Sequence, residues 1–193
     1  MKTLGPRNIL LRRKRNTSGN YAFIDSQNLN LGIQKVGWKL DWRKFRQFLS
    51  DNYGVSKAYM FIGYMQENEA LYEQMHDLGY AVVLKPTVES YKDEMGETAL
   101  NEENKKQVVK GNIDADLVLY AMKEAQNYNK AVVVSGDGDF YSLCEYLVGK
   151  NKLLKILTPN WQYSSLLKEF DEYIQRLDTL KPQLSYRHKK RNK

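Results

Sequence analysis

Cysteine is nearly absent. Cys144 is the only one among 193 residues, so the chain cannot close an intramolecular disulfide. It lies between Leu143 and the Tyr146-Leu147-Val148 run, a setting for a buried, inert thiol rather than a nucleophile. Histidine is almost as scarce: His76 and His188 have no companion ligand pattern, which argues against zinc. No apolar run reaches 18 residues, which argues against a membrane span. The basic N-terminal segment runs into Thr17-Ser18-Gly19-Asn20 and not into a long apolar region. A secretory signal is therefore not expected, and the cytoplasm is the expected location. A Gly-x-x-x-x-Gly-Lys-Ser/Thr run is missing, as is a Gly-x-Gly-x-x-Gly fingerprint after the first apolar run. P-loop NTPases and dinucleotide oxidoreductases are thereby set aside.

Acid is missing from both ends. Residues 1–17 and 181–193 each carry six Lys/Arg and no Asp or Glu, while residues 18–180 carry 18 basic and 23 acidic residues, a net −5. The overall +7 is thus a mildly acidic body between two basic ends. Such ends attract polyanions through a salt-dependent field, although solubility alone is a sufficient use for them. The length suits one domain, read as 18–180 between a basic extension (1–17) and a basic tail (181–193).

Five short apolar runs stand out: Tyr21-Ala22-Phe23-Ile24, residues 57–62, 80–84, 131–134 and 153–157. They are nearly continuous in apolar character, as parallel strands covered on both faces are. Helical spacing lies between them. Asp41 is a cap for Phe45, Phe48 and Leu49; residues 66–78 carry Leu71, Met75 and Leu78 ahead of Gly79. A third helix starts near Asp114, a fourth follows Asp137 and ends at Gly149, and a last spans 161–178. Alternation of this kind predicts a doubly wound α/β sandwich. Residues 85–110 read as a loop with a short helix near 101–109.

Acids gather at the predicted strand ends. Asp25 closes the first run, and Asp137 and Asp139 follow the fourth in Val134-Ser135-Gly136-Asp137-Gly138-Asp139-Phe140. Ligand sites of open parallel sheets lie beyond the carboxyl ends of the strands, where strand order reverses. Asp25 and Asp137 meet there if the first and fourth runs are neighbours. Asp114 is a ligand or a helix cap, with Asp116 secondary because i and i+2 do not share a helix face. Asp139 is a metal ligand, an outer ligand or a cap. Asn28 either serves Asp25 or a phosphate through its amide, or closes an Asx turn. Lys110 is a phosphate contact or a solvated surface charge. Clustered carboxylates stay ionised when a divalent cation compensates them, and all-oxygen ligation suits Mg²⁺ or Mn²⁺. Asp25, Asp114, Asp137 and Asp139 are the expected metal ligands, and with Asn28 the expected catalytic set.

Three motifs together, Tyr21-Ala22-Phe23-Ile24-Asp25-Ser26-Gln27-Asn28-Leu29, Lys110-Gly111-Asn112-Ile113-Asp114 and Val134-Ser135-Gly136-Asp137-Gly138-Asp139-Phe140, resemble the NYN domain family over about residues 20–160. That family belongs to the PIN-like ribonuclease group and includes bacterial LabA/DUF88-type proteins. The resemblance implies a PIN-like three-layer sandwich with a mostly parallel central sheet, and a metal-dependent ribonuclease. Asp25 and Asn28 match the first motif, Asp114 the second, and Asp137 and Asp139 the third. Many members carry a further acid near the position of Tyr120, where this chain has Asp116 nearby. RNA is the expected partner, with DNA and a homodimer left open. The competing account is a non-catalytic RNA-binding or scaffold protein with a vestigial site.

Overall fold

Apolar runs and helical stretches alternate along the chain, and in the computed structural model they assemble into a three-layer sandwich; residues 19–64, 68–85, 88–89, 109–110 and 113–186 are described. β1 (Asn20–Asp25) leads into α1 (Ser26–Lys35) and α2 (Trp42–Tyr53), then β2 (Val55–Gly63), α3 (Glu69–Asp77) and β3 (Tyr80–Lys85). β4 (Val88–Glu89) and β5 (Val109–Lys110) form a small antiparallel ribbon. After α4 (Asp114–Lys123) come β6 (Ala131–Val134), α5 (Tyr141–Gly149), β7 (Leu153–Thr158), β8 (Ile174–Arg176) and a short α6 (Lys181–Leu184). Six strands make one sheet in the order β3-β2-β1-β6-β7-β8, and every pairing in it is parallel.

Period-2 alternation divides the core. Ala22, Ile24, Met60, Val132 and Val134 face α1, α2 and α3, where Leu29, Ile33, Phe45, Leu49 and Met75 cover them. Phe23, Tyr59, Phe61 and Val133 face α4 and α5, where Leu117, Ala121, Leu143, Cys144 and Leu147 do the same. Burial on both faces is why these strands read as continuous apolar runs. Cys144 is fully buried, and burial pushes its thiol up to about 12, so it is not a nucleophile. Among the described residues no helix is long and apolar enough to cross a membrane.

Local rules account for most of the elements. Asp41 caps α2, its Oδ1 accepting from the N–H groups of Arg43 at 3.1 Å and Lys44 at 3.2 Å. Gly54 and Gly79 take positive φ after α2 and α3. Two expectations need correction. The region 161–178 is not one helix: a 3₁₀ segment over Ser165–Tyr173 breaks its geometry at Phe170, and Ile174–Arg176 adds a sixth strand beside β7. The loop expected over 85–110 contains the β4/β5 pair; residues 101–108 of the helix expected there lie outside the described residues, and Val109 is in a strand. Ile9-Leu10-Leu11, a short apolar run that also reads as an edge strand, lies outside them as well. At the other end, the chain stays on the body to Tyr186: Tyr186 N–H donates to Lys39 O at 2.8 Å, Lys44 Nζ donates to Ser185 O at 2.8 Å, and Leu184 is buried.

One contact carries a stability prediction with an unusual sign. Gly32 lies inside α1, where alanine is ordinarily better by ~1 kcal/mol. A Cβ at Gly32 would come within 2.5 Å of Pro159 Cβ and 2.8 Å of its Cγ. Gly32→Ala should therefore destabilise the protein by about 1–3 kcal/mol through overpacking. Urea unfolding checks this, and a stabilised variant would mean that the Pro159 loop yields freely.

Candidate functional site

The strand order reverses direction between β1 and β6, and the carboxyl ends of those two strands open onto one cleft. It encloses about 250 Å³ and is lined by Asp25, Gln27, Asn28, Leu31, Ile113, Asp114 and Asp137. Asp25 is the last residue of β1 and the N-cap of α1, with Oδ1 accepting from Asn28 N–H at 3.0 Å. Its Oδ2 accepts from the Ser135 hydroxyl at 3.2 Å. The same hydroxyl accepts from Asp137 N–H at 3.1 Å, so one buried serine stands between the two acids. Asn28 Oδ1 accepts from Gly136 N–H at 2.8 Å, which ties the start of α1 to the turn after β6. That bond makes Asn28 a brace across the cleft.

Asp137 Oδ1 accepts from Asp139 N–H at 3.0 Å and opens the 3₁₀ turn Gly138–Phe140. Asp139 is exposed in that turn, and α5 begins after Phe140 without a side-chain cap, so Asp139 is not its cap. Asp114 is likewise not the side-chain cap of α4: the cap position is Ile113, and Asp114 is the first helical residue, lining the cleft. Asp116 pairs instead with Lys85 Nζ at 3.0 Å, at the end of β3. Tyr120 packs edge-on against Tyr59 and Phe61, so aromatic contacts fill the position where an additional acid would stand. Lys110 belongs to β5, and its side chain lies outside the described residues. Two further residues join the site without a signal of their own in the sequence: Ser135, through its bonds to Asp25 and Asp137, and Lys85, through its pair with Asp116. Ser135 was visible inside the Val-Ser-Gly-Asp run, but nothing in the run says which way its hydroxyl bonds.

The electrostatics follow from this packing. Burial raises the Asp25 carboxyl above the ordinary aspartate range, and the charge of Asp137 raises it further, against hydrogen bonds from Asn28, Ser135 and Gln27 that lower it. Asp114 is raised by burial first and then by Asp25, Asp137 and Asp139, with Lys85 offsetting part of that repulsion. The four acids thus share one field. In chemistry the donors suit a hard cation. In geometry they do not form a ready holder: among the described residues, no three His, Cys, Asp or Glu side chains are gathered closely enough to hold a metal ion. Both Asp25 oxygens and one Asp137 oxygen already accept hydrogen bonds from the protein itself.

A raised carboxyl favours the folded state when protonated and weighs against it when ionised. Stability associated with Asp25 is therefore present at low pH and lost as pH rises through its folded value. Asp25→Asn should raise stability at pH 7 by about 1 kcal/mol, or roughly 2–4 °C in Tm for a chain of this size. The asparagine carbonyl replaces the α1 cap, and its amide can donate to the Ser135 oxygen. Thermal melts should show the two proteins converging as pH falls toward 4, and a gap that widens toward acid would reverse the sign.

The NYN domain model matches residues 21–178. The chain is 25% identical over 157 residues to the Low amplitude and bright protein LabA of Synechococcus elongatus, covering 79% of this chain and 80% of that protein. A crystal structure of a protein of unknown function from Vibrio parahaemolyticus superposes with a TM-score of 0.65 at 19% identity, covering 86% of this chain and 96% of that one, which speaks to the fold alone. With the parallel sheet, the β1/β6 cleft and a family match that spans most of the sequence, this chain belongs to the NYN domain family.

Proposed function

We propose that this NYN domain engages RNA at the β1/β6 cleft and, in the arrangement described, acts as a binding or scaffolding domain rather than a preassembled metal nuclease. One observation carries the second half: among the described residues, no three acids are gathered to hold a metal. Two of the acids of the cleft, Asp25 and Asp137, serve the fold as local caps, and Ser135 and Asn28 join the end of β1 and the start of α1 to the turn after β6. RNA is supported by the family, which resembles the PIN-like ribonuclease group, and by basic ends that attract phosphate toward a body of net −5.

Metal-dependent hydrolysis of RNA is the second reading, and a specific observation favours it. Asp25 and Asp114 are raised by burial and by the other acids, a repulsion that Mg²⁺ or Mn²⁺ would relieve. Asp25, Asp114 and Asp137 would hold the ion, with Asp139 beside them, after their side chains regroup. A bound ion would supply an activated water and neutralise charge on the phosphodiester. Asn28 and Lys110 would contact phosphate.

The deciding experiment follows end-labelled RNA and DNA with the full chain in Mg²⁺, in Mn²⁺ and in excess chelator. Binding is read by anisotropy and cleavage on gels. The first reading expects RNA bound and intact in all three conditions. Cleavage that chelator stops, and that a folded Asp25→Asn/Asp137→Asn variant has lost, would replace it with the second reading.

A further inference from the structure

A second cleft, about 400 Å³, lies at the far end of α1 from Asn28, with Lys35, Trp38, Trp161, Gln162, Asp178 and Lys181 in its lining. Lys35 is seven residues beyond Asn28, about 10 Å along the helix. Trp161 is 55% exposed, large for an indole, yet the loop that carries it is firmly anchored. Asn160 is buried; its Nδ2 donates to Gly32 O at 2.7 Å and its Oδ1 accepts from Gln162 N–H at 2.6 Å. Arg176 lies over the Trp161 ring at 5.8 Å. Asp178 grips that guanidinium at both Nε (3.0 Å) and Nη2 (2.6 Å). The Arg176 and Asp178 charges cancel, which leaves the exposed Lys35 and Lys181 as net positive charge at the rim; neither has an ion pair among the described residues. Trp38 contributes a buried indole N–H without a hydrogen-bond partner among the described residues, an unmet donor beside the cleft.

A rigid exposed aromatic with flanking cations is the chemistry that holds single-stranded nucleic acid: a base stacks on the ring while lysines meet the phosphates. We propose that this cleft is a base-stacking subsite for single-stranded nucleic acid, with Trp161 as its platform and Lys35 and Lys181 on the backbone. It rests on the RNA reading of the β1/β6 cleft and deepens it, since α1 connects the two. Arg176 stiffens the indole from one side, and the base takes exposed indole surface.

The test uses the full chain with a 12-nucleotide oligouridylate and an oligothymidylate of the same length, both labelled, over a salt series. Trp161→Ala should weaken binding by about 5- to 150-fold with the salt slope unchanged, because stacking is worth ~1–3 kcal/mol per base and releases no counterion. Trp161→Phe should restore most of the affinity. Lys35→Gln and Lys181→Gln should each flatten the log–log salt slope by about 0.7. Unchanged affinity in Trp161→Ala while Asp25→Asn/Asp137→Asn alters binding would overturn the subsite and leave the cleft reading standing. Thymidylate bound through Trp161 with uridylate ignored would uphold the subsite and remove RNA as the partner. Failure of the wild-type chain to bind either strand would overturn both. Self-association by sedimentation that Trp161→Ala abolishes, with oligonucleotide affinity unchanged, would give the face to a second copy and overturn the proposal.

Discussion

Phe23→Ala is expected to cost about 3–5 kcal/mol of folding stability, roughly 6–20 °C in Tm for a chain of this length. Phe23 sits at the centre of β1, paired with Tyr59 on one side and Val133 on the other, and it is fully buried. Its ring stacks on Tyr59 at 5.7 Å and meets Tyr128 edge-on at 5.6 Å. Those aromatic contacts add to the transfer term, and the space left by truncation has little means of closing. Tyr59 belongs to the neighbouring strand, and Tyr128 is held by its hydroxyl, which donates to Ala121 O at 2.8 Å. Neither ring can slide in without breaking a bond or a strand register. Urea unfolding should show a lower midpoint with an unchanged m-value. A loss under ~1 kcal/mol would mean that this face of the sheet repacks, contrary to the close packing of cores.

The second large effect belongs to Ser135. Its hydroxyl donates to the buried Asp25 carboxylate and accepts from Asp137 N–H. Ser135→Ala removes both bonds at a position only 1% exposed, where water cannot readily replace them. A hydrogen bond to a charged group is worth about 1.5–3 kcal/mol, so a loss of about 2–3 kcal/mol is expected at pH 7. The pH dependence identifies the cause. The Ser135 bond holds the Asp25 carboxyl down, so its removal raises that carboxyl further. The charged form is the one harmed; the penalty is full above the Asp25 value and shrinks as pH falls and the carboxyl protonates. Unfolding midpoints from pH 4.5 to 8 should diverge with rising pH. A constant difference would assign the whole loss to Asp137 N–H.

How much of this was legible varied by element. Five of the six strands of the sheet appear as apolar runs, because burial on both faces leaves no polar alternation to confuse them. α1 was not foreseen: Ser26-Gln27-Asn28-Leu29-Asn30-Leu31-Gly32 is poor in helix formers, and it is the Asp25 cap and the burial of Leu29 and Ile33 that secure it. β8 was hidden inside helical spacing. Leu166, Leu167, Phe170, Ile174 and Leu177 fit a helix on paper, yet Leu166 is largely exposed, and Ile174–Arg176 gains more from the open edge of β7. In the candidate site, the convergence of Asp25 and the Asp137 turn followed once β1 and β6 proved to be neighbours. What the acids bond to did not follow, since a carboxylate at a strand end reads the same whether it caps a helix, accepts from a buried serine or waits for an ion.

The position of β1 has a consequence in time. Its second neighbour, β6, begins at Ala131, and the serine that meets Asp25 lies 110 residues further along the chain. At a synthesis rate of ~5–20 residues per second, β1 emerges several seconds before the strand that completes it. During that interval β1 can pair with β2 alone, and its other edge presents Tyr21-Ala22-Phe23-Ile24 with the backbone groups unmatched. An apolar strand with one open edge is a template for another nascent chain. Of the six strands of this sheet, β1 therefore waits longest for its second neighbour, and slow translation through residues 60–130 would lengthen that exposure.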